Sequence, residues 1–317
     1  MNVYLTFDIE IWCNGWANLD TSFPSSFQRY VYGRSRHGDY ALPKTLEILN
    51  KYGLRGVFFV EPLFSARFGQ QHLKSIVDLI RSAGQEVQLH LHTEWTNEAL
   101  QPLIKNCNKK RQYLSDYTLD EQSTLIGYGK EMLESTGSGP ITAFRAGSFA
   151  LNEDTFRALA INGIGIDTSL NRCHDVSSPK LIRGRNLDTS FYVGEVLTYP
   201  VTVFRDGFGR DRPAQVGACS FTEMRDALWS AKKAKTQHFV VVSHNFEMLK
   251  SNSSQPDWTV VKRFTSLCAF LAEKSEHFCV KTFSTASNMP TTQNYQPYVQ
   301  LTSTGRRYAE QAFRRLI

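Results

Sequence analysis

Across 317 residues no window reaches the roughly 18 uninterrupted apolar positions that a membrane-crossing helix needs. The first eight residues run straight into a strand pattern, with no basic stretch, leader-length apolar run or cleavage site. A chain that neither spans a membrane nor leaves by that route is expected in the cytoplasm. Its six cysteines (Cys13, Cys107, Cys173, Cys219, Cys268 and Cys279) form no Cys-x-x-Cys pair and none of the short spacings of a zinc ribbon, so reduced thiols are expected. A serine-nucleophile elbow, Gly-x-Ser-x-Gly, is missing, and so is the phosphate loop Gly-x-x-x-x-Gly-Lys. Gly163-x-Gly165 lacks the third glycine and the following helix of a dinucleotide fingerprint. Imbalance of charge is small as well. A net +6 without a basic stripe argues against a nucleic-acid partner and leaves small molecules and glycans.

What is present is core material: 41 % of the chain is hydrophobic, enough for one large domain. Val3, Leu5, Phe7 and Ile9 alternate with Tyr4, Thr6, Asp8 and Glu10, the period of a strand with one apolar face. The stretch around Gln88 repeats the device, with Val87, Leu89 and Leu91 on one side and Gln88, His90, His92 and Glu94 on the other. Between the two, helical periods at 40–52 and 71–83 end at Gly53 and Gly84 and enclose an apolar strand at 55–60. Alternation continues with strands at 141–145, 165–167, 197–204 and 239–244 and helices at 117–135, 152–161, 221–234 and 258–273. Such a chain is α/β with a parallel sheet.

Connections that leave strand ends (11–37, 92–116, 168–192, 204–220) are long, while those leading into strands are short. A β/α barrel with its chemistry at the carboxyl ends of the strands has this asymmetry, and an open doubly wound sheet has something similar. The segment 11–38 carries Trp12, Trp16, Phe23, Phe27, Tyr30 and Tyr32, and reads equally as a substrate-covering loop or as an excursion packing its own aromatics. Residues 1–283 are expected to form the barrel. The Ser/Thr/Asn/Gln/Pro-rich run from Ser284 to Thr304 reads as a linker to a short basic helix over 306–317, which bears Arg306, Arg307, Arg314 and Arg315. That helix is expected to be solvated, with weak contact to an anionic membrane surface as the lesser expectation.

Reactive residues gather at strand ends: Asp8 and Glu10, then His90, His92 and Glu94, then Arg145, Asp167 and His244. Two histidines and a glutamate on one strand face are costly unless paired or metal-bound. Carboxylates and imidazoles together suit a divalent, zinc-like ion, with a spare carboxylate to take a proton from water and a histidine to protonate a leaving nitrogen. Amide hydrolysis is the reaction that fits such a set.

Five segments occur in order: Thr6-Phe7-Asp8-x-Glu10, Gly84-x-Glu86-Val87-x-x-His90, Phe144-Arg145-Ala146-Gly147, Asp167-Thr168-Ser169 and Val240-Val241-Val242-Ser243-His244. Together they resemble the successive motifs of the polysaccharide deacetylase, or NodB-homology, family (carbohydrate esterase 4-like), nearest to the branch found with bacterial surface-polysaccharide and lipopolysaccharide genes. The resemblance implies a distorted (β/α)7 barrel and metal-dependent removal of an N-acyl group, usually acetyl, from an amino sugar. It implies that Asp8 is the general base, His244 the general acid, Arg145 the partner that orients Asp8, and Asp167 the partner that does the same for His244.

The chain departs from the family at three places. Ile9 separates Asp8 from Glu10, so the first motif's ligand role passes to Glu10. Glu94 stands where a second histidine is usual. Gly147-Ser148-Phe149 replaces a Pro-aromatic pair, which could alter the groove wall. If the strand runs on, His90 and Glu94 lie about 13 Å apart and His90 and His92 about 6.6 Å; if the chain turns at Leu91, residues four apart come within about 6 Å. The resemblance favours the turn, which ranks Glu10, His90 and Glu94 as ligands with His92 as substitute for Glu94.

Glu247 reads as an exposed helix-start acid before a role beside His244. His37, His174 and Asp175 lie in long loops within possible reach of substrate, whereas His72, His238 and His277 read as structural. The expected substrate is an amino sugar in a glycan or glycan precursor, lipid-linked or nucleotide-linked. Competing expectations are a metal-independent or formyl-specific amide hydrolase, a glycoside hydrolase using Asp8 and Glu94 as paired carboxylates, and a catalytically silent glycan-binding barrel.

Overall fold

Apolar alternation in seven short segments produces the scaffold. In a computed structural model describing residues 1–105, 109–174, 187–251, 253–286 and 295–316, these segments are β1 (Asn2–Ile9), β2 (Val57–Val60), β3 (Glu86–Leu91), β4 (Ala143–Ala146), β5 (Ile166–Asp167), β6 (Val196–Thr198) and β7 (His238–His244). They pair in parallel in the order β7-β1-β2-β3-β4-β5-β6, and Phe191–Val193 adds an antiparallel edge to β6. Helices α1 (Leu19–Phe27), α2 (Leu42–Lys51), α3 (Gln70–Ser82), α4 (Leu119–Ser135), α5 (Glu153–Ile161), α6 (Phe221–Lys233), α7 (Trp258–Glu273) and α8 (Leu301–Leu316) occupy the connections and the C-terminus. Between β6 and β7 no ladder forms. Thr202 and 214–216 fill the gap instead, with the Thr202 N–H donating to the Val240 carbonyl and the Val242 N–H to the Ala214 carbonyl. The result is the distorted (β/α)7 barrel that the alternation and the motifs implied.

The two faces of each strand go to two cores. Val3, Leu5, Phe7, Leu89, Leu91, Phe144 and Val241 face the helices. Tyr4, Val57, Phe59, Ala143, Ile166, Leu197 and Val240 fill the lower barrel interior. By the two-residue period, the next inward positions toward the carboxyl ends are Thr6 and Asp8, Glu61, His90, Arg145, Thr168 and His244. A plug of apolar side chains therefore carries a polar layer at the mouth, and burying that layer demands partners for every charge in it.

Three expectations are corrected. The segment 11–38 contains α1 and a short antiparallel pairing of Arg34–Ser35 with Gly38–Asp39. Its Phe23 and Phe27 are core, packed against Phe64 and Tyr32 respectively and both against His72. The strand expected over 197–204 is split, since Pro200 has no N–H to offer a ladder. Finally, α8 is docked instead of solvated: Arg307 is 2 % exposed and bonds Asp206 and Glu223, each at 2.9 Å. Arg314 pairs with Asp257 at 2.7 Å and Arg306 with Glu310 at 3.3 Å, so these arginines are spent on the protein itself. Cys107, Asp175 and much of the expected linker lie outside the described residues.

Candidate functional site

The mouth is assembled from the ends of β1, β2, β3, β4 and β7. Glu10 lies one residue beyond β1 and keeps its alternation because the Asn245 amide acts as a strand partner. The Glu10 N–H donates to Asn245 Oδ1, and Asn245 Nδ2 donates to the Glu10 carbonyl, both at 3.1 Å. Asp8 and Glu10 thus share the inward face across Ile9, as their spacing required.

β3 runs to Leu91, and the 3-10 turn begins only at Thr93, so the turn expected at Leu91 comes two residues late. His92 consequently stays on the inward face beside His90. Glu10 Oε1 lies 3.0 Å from His90 Nε2 and 2.9 Å from His92 Nε2, and this trio is one of two groups among the described residues whose possible ligand atoms lie within 4.8 Å of one another. The second comprises Asp8, Glu10 and His244. Glu94 joins neither among the described residues. It stands behind His92, with Oε2 3.4 Å from Nδ1, which corrects the ranking of Glu94 over His92. His90 is backed similarly by the Arg145 carbonyl, 2.8 Å from Nδ1. A ring whose Nδ1 is held from behind has its Nε2 aimed forward, the usual preparation of a histidine for a metal.

Gly147 makes this packing possible: a Cβ there would lie 2.6 Å from the Leu91 carbonyl oxygen and 2.9 Å from His92 Nδ1. Ser148 and Phe149, which follow it, both adopt left-handed backbone, with φ of 53° and 58°. Phe149 turns its ring toward His174, 4.8 Å between centroids. Such strain in non-glycine residues persists where surrounding structure enforces it.

Arg145 and Asp8 form the innermost ion pair. Arg145 is fully buried, its Nη1 is 2.7 Å from Asp8 Oδ1, and its other nitrogens donate to the carbonyl and hydroxyl of Thr168. Asp167 does not orient His244. Ile166 faces the barrel interior, so Asp167 must point the other way, where it accepts from Ser169 (2.5 Å to Oγ) and Thr198 (2.9 Å). Burial raises its pKa against those hydrogen bonds.

The acid that holds His244 is Glu247, Oε1 2.8 Å from Nδ1, corrected here from the exposed helix-start acid that its position suggested. Its carboxylate also accepts from Gln215, Ser243 and the Gly217 N–H. Long-range contacts with Gln215 and Gly217 leave no trace in local sequence, although the three-residue spacing from His244 was visible. Glu61 was missed too, and the alternation Val57, Phe59, Glu61 could have found it. Its carboxylate accepts from the Leu63 and Phe64 N–H groups at 2.7 and 3.3 Å. Trp12 is a third addition, donating from Nε1 to Glu10 Oε2 at 2.8 Å.

Electrostatics divide the site. Burial alone would raise the Glu10 carboxyl, but the His92 imidazole and hydrogen bonds from both histidines hold it well below the usual range. His92 is lifted well above its ordinary value because Glu10 and Glu94 outweigh burial. For His244, burial is likewise overcome, by the Glu247 hydrogen bond and the Glu10 and Asp8 carboxylates, and its pKa rises to about 9. Glu61 goes the other way: burial wins over its backbone donors and pushes it up to about 8. Burial and the His244 charge lower His174, which belongs to this rim. His37 is instead beside Trp258, 5.5 Å between ring centroids. His72 packs among Phe23 and Phe27, His238 against Tyr199 and His277 against Trp229.

No family profile and no curated protein matches the chain. Solved structures do. A candidate polysaccharide deacetylase from Mycobacterium smegmatis is 19 % identical, over 91 % of this chain and 94 % of that one, with a TM-score of 0.49. A family 4 carbohydrate esterase from Streptomyces lividans, solved in complex with acetate, is 14 % identical over 93 % and 97 %, with a TM-score of 0.45. A 4-alpha-glucanotransferase from Thermococcus litoralis reaches a TM-score of 0.58 at 12 % identity, over 95 % of this chain but 42 % of that one. The last likeness shows a shared barrel and leaves the chemistry to the side chains at its mouth.

Proposed function

We propose that this protein is a metal-dependent hydrolase that removes an N-acyl group, acetyl in the first instance, from an amino sugar in a glycan or glycan precursor. The observation that carries the proposal is the convergence of Glu10 Oε1, His90 Nε2 and His92 Nε2 beside an arginine-held Asp8 and a glutamate-held His244. One carboxylate and two back-bonded imidazoles are a donor set that suits a divalent ion of the zinc type. An ion held there supplies positive charge that polarises an acyl oxygen and acidifies water.

The protein's own residues do the rest. Arg145 holds and aims Asp8, so that Asp8 takes a proton from water as the water oxygen bonds the acyl carbon. With a pKa near 9, His244 carries its proton at neutral pH; Nδ1–H is committed to Glu247, which leaves Nε2–H for the amine nitrogen as the C–N bond breaks. Trp12 fixes Glu10 through its Nε1–H, and its ring lies edge-on to His92, 5.0 Å between centroids. A paired-carboxylate glycoside hydrolase fits less well, because Asp8 is committed to Arg145 and Glu94 to His92. A cytoplasmic, lipid-linked or nucleotide-linked precursor remains the expected substrate context.

Metal analysis coupled to an acetate-release screen tests the proposal. Purified protein is expected to bind about one divalent ion per chain and to lose both ion and acetate release in Glu10→Ala and His90→Ala. Full activity in metal-free protein would overturn it.

A further inference from the structure

Glu10 belongs to two groups of candidate ligands among the described residues. One, with His90 and His92, is the metal site proposed above; the other joins Glu10 to Asp8 and His244, again with ligand atoms within 4.8 Å of one another. The second group is prepared as the first is. His244 is backed at Nδ1 by Glu247 at 2.8 Å, just as His92 is backed by Glu94 and His90 by the Arg145 carbonyl, so Nε2 is the atom aimed forward. Asp8 meets Arg145 through Oδ1, and its Oδ2 has no hydrogen-bond partner among the described residues. Glu10 turns Oε1 to His90 and His92, while Oε2 accepts from Trp12 and keeps a second lone pair.

Charge is consistent with a second cation. The carboxylates of Asp8, Glu10, Glu94 and Glu247 share this layer with the guanidinium of Arg145. When one divalent ion occupies the first group, negative charge still exceeds positive. A proton on His244 supplies the balance during turnover, and a cation between His244 and Asp8 can supply it instead.

We propose that Asp8, Glu10 and His244 form a second, weaker site for a divalent cation of the zinc type, and that an ion seated there shuts the reaction off. Asp8 then has no lone pair free to accept the proton of water, and His244 releases its own proton to solvent as Nε2 bonds the ion, so none is left for the departing amine. The inhibitory effect rests on the proposed hydrolase function, whereas the site itself does not. An incoming ion meets the charge of the first and finds one imidazole instead of two, so its Kd should lie about tenfold or more above that of the first. Purified protein therefore keeps the first ion, and excess zinc adds the second.

The test titrates chelator-treated protein with zinc chloride by calorimetry, with elemental analysis of the bound metal. Two events are expected, reaching about one and then about two ions per chain. His244→Gln and Asp8→Asn are each expected to keep the first event, which also shows that the variant is folded, and to lose the second. Ring-proton NMR of the native protein needs no variant fold: the His90 and His92 signals should move with the first equivalent and those of His244 with the second. Acetate release should rise to one equivalent and then fall, with half-inhibition at the Kd of the second event. A single event in the native protein, a second event that persists in both variants, His244 signals that stay fixed between one and two equivalents, or acetate release that does not fall as the second ion binds would each overturn the proposal. Acetate release by protein that binds one ion alone refutes the second site and leaves the hydrolase reading standing. Two events that require His244 and Asp8, without acetate release at any zinc level, uphold the site and refute the hydrolase reading.

Discussion

Replacing Arg145 by methionine isolates the innermost ion pair. In the native protein Arg145 is fully buried, Asp8 is 2 % exposed, and the two are joined at 2.7 Å. Methionine keeps the apolar stem over the Phe59 ring, which now lies 4.6 Å from the guanidinium carbon, but leaves the Asp8 carboxylate buried without its counter-charge. Breaking one side of a buried pair costs about 3–5 kcal/mol. At a urea m-value of about 3 kcal/mol/M for a chain of this size, the unfolding midpoint should fall by about 1–1.7 M. Asp8→Asn should cost a similar amount, because Arg145 would keep oxygen acceptors but stay buried without a counter-charge. The double variant Asp8→Asn/Arg145→Met has no charge left to strand, so it should lie well above the sum of the singles, with a coupling energy on the order of 3 kcal/mol. Equilibrium urea unfolding of all four proteins measures this. Strict additivity would refute the idea that the two residues are retained as a pair.

Three other outcomes follow from the same geometry. In Glu247→Gln, His244 loses a charge-assisted hydrogen bond of about 1.5–3 kcal/mol, so its pKa should drop from about 9 by roughly 1–2 units; ring-proton NMR reads this directly, and because the acid acts protonated, the alkaline limb of kcat/KM should move down with it. Gly147→Ala drives a Cβ against the Leu91 carbonyl and the His92 ring; a stability loss of about 1–3 kcal/mol is expected, along with reduced zinc retention on dialysis, and unaltered retention would show that the His92 ring position is not needed. His238, at the opposite end of the barrel, is held neutral by burial, with its pKa lowered to about 4 and its Nδ1 without a hydrogen-bond partner among the described residues. Between its ordinary value of 6.5 and about 4 the unfolded chain binds the proton that the folded chain refuses. Its contribution is therefore complete above pH 6.5 and declines by about 3 kcal/mol as pH falls to 4. His238→Phe should flatten that slope, and an equal slope in both proteins would disprove the assignment.

Where the sequence was legible, the reason was period. Two-residue alternation located β1 and β3 and put Asp8 and Glu10 on one face and His90 and His92 on another, while helical spacing placed α7 to the residue. The same rule already held Glu61, which the search for motifs passed over. Asn245 escaped, and Glu247 was ranked first as an exposed acid, because their contacts with Glu10, Gln215 and Gly217 join segments distant in the chain. The docking of α8 escaped for a related reason: its arginines look like a solvated basic face until Asp206, Glu223 and Asp257 are brought beneath them.

By itself the sequence determined the α/β alternation, the parallel sheet, the polar layer at the strand ends and the residue types of the site, because these follow from backbone periodicity and from the cost of burying unpaired charge. Only the tertiary structure decided which side chains meet. The choice of His92 over Glu94 turned on a strand that ran two residues further than expected. The exchange of Asp167 for Glu247 beside His244 turned on strand facing and on a loop closing across the barrel. Both are matters of a few ångströms between segments far apart in the chain, and local sequence carries no record of such distances.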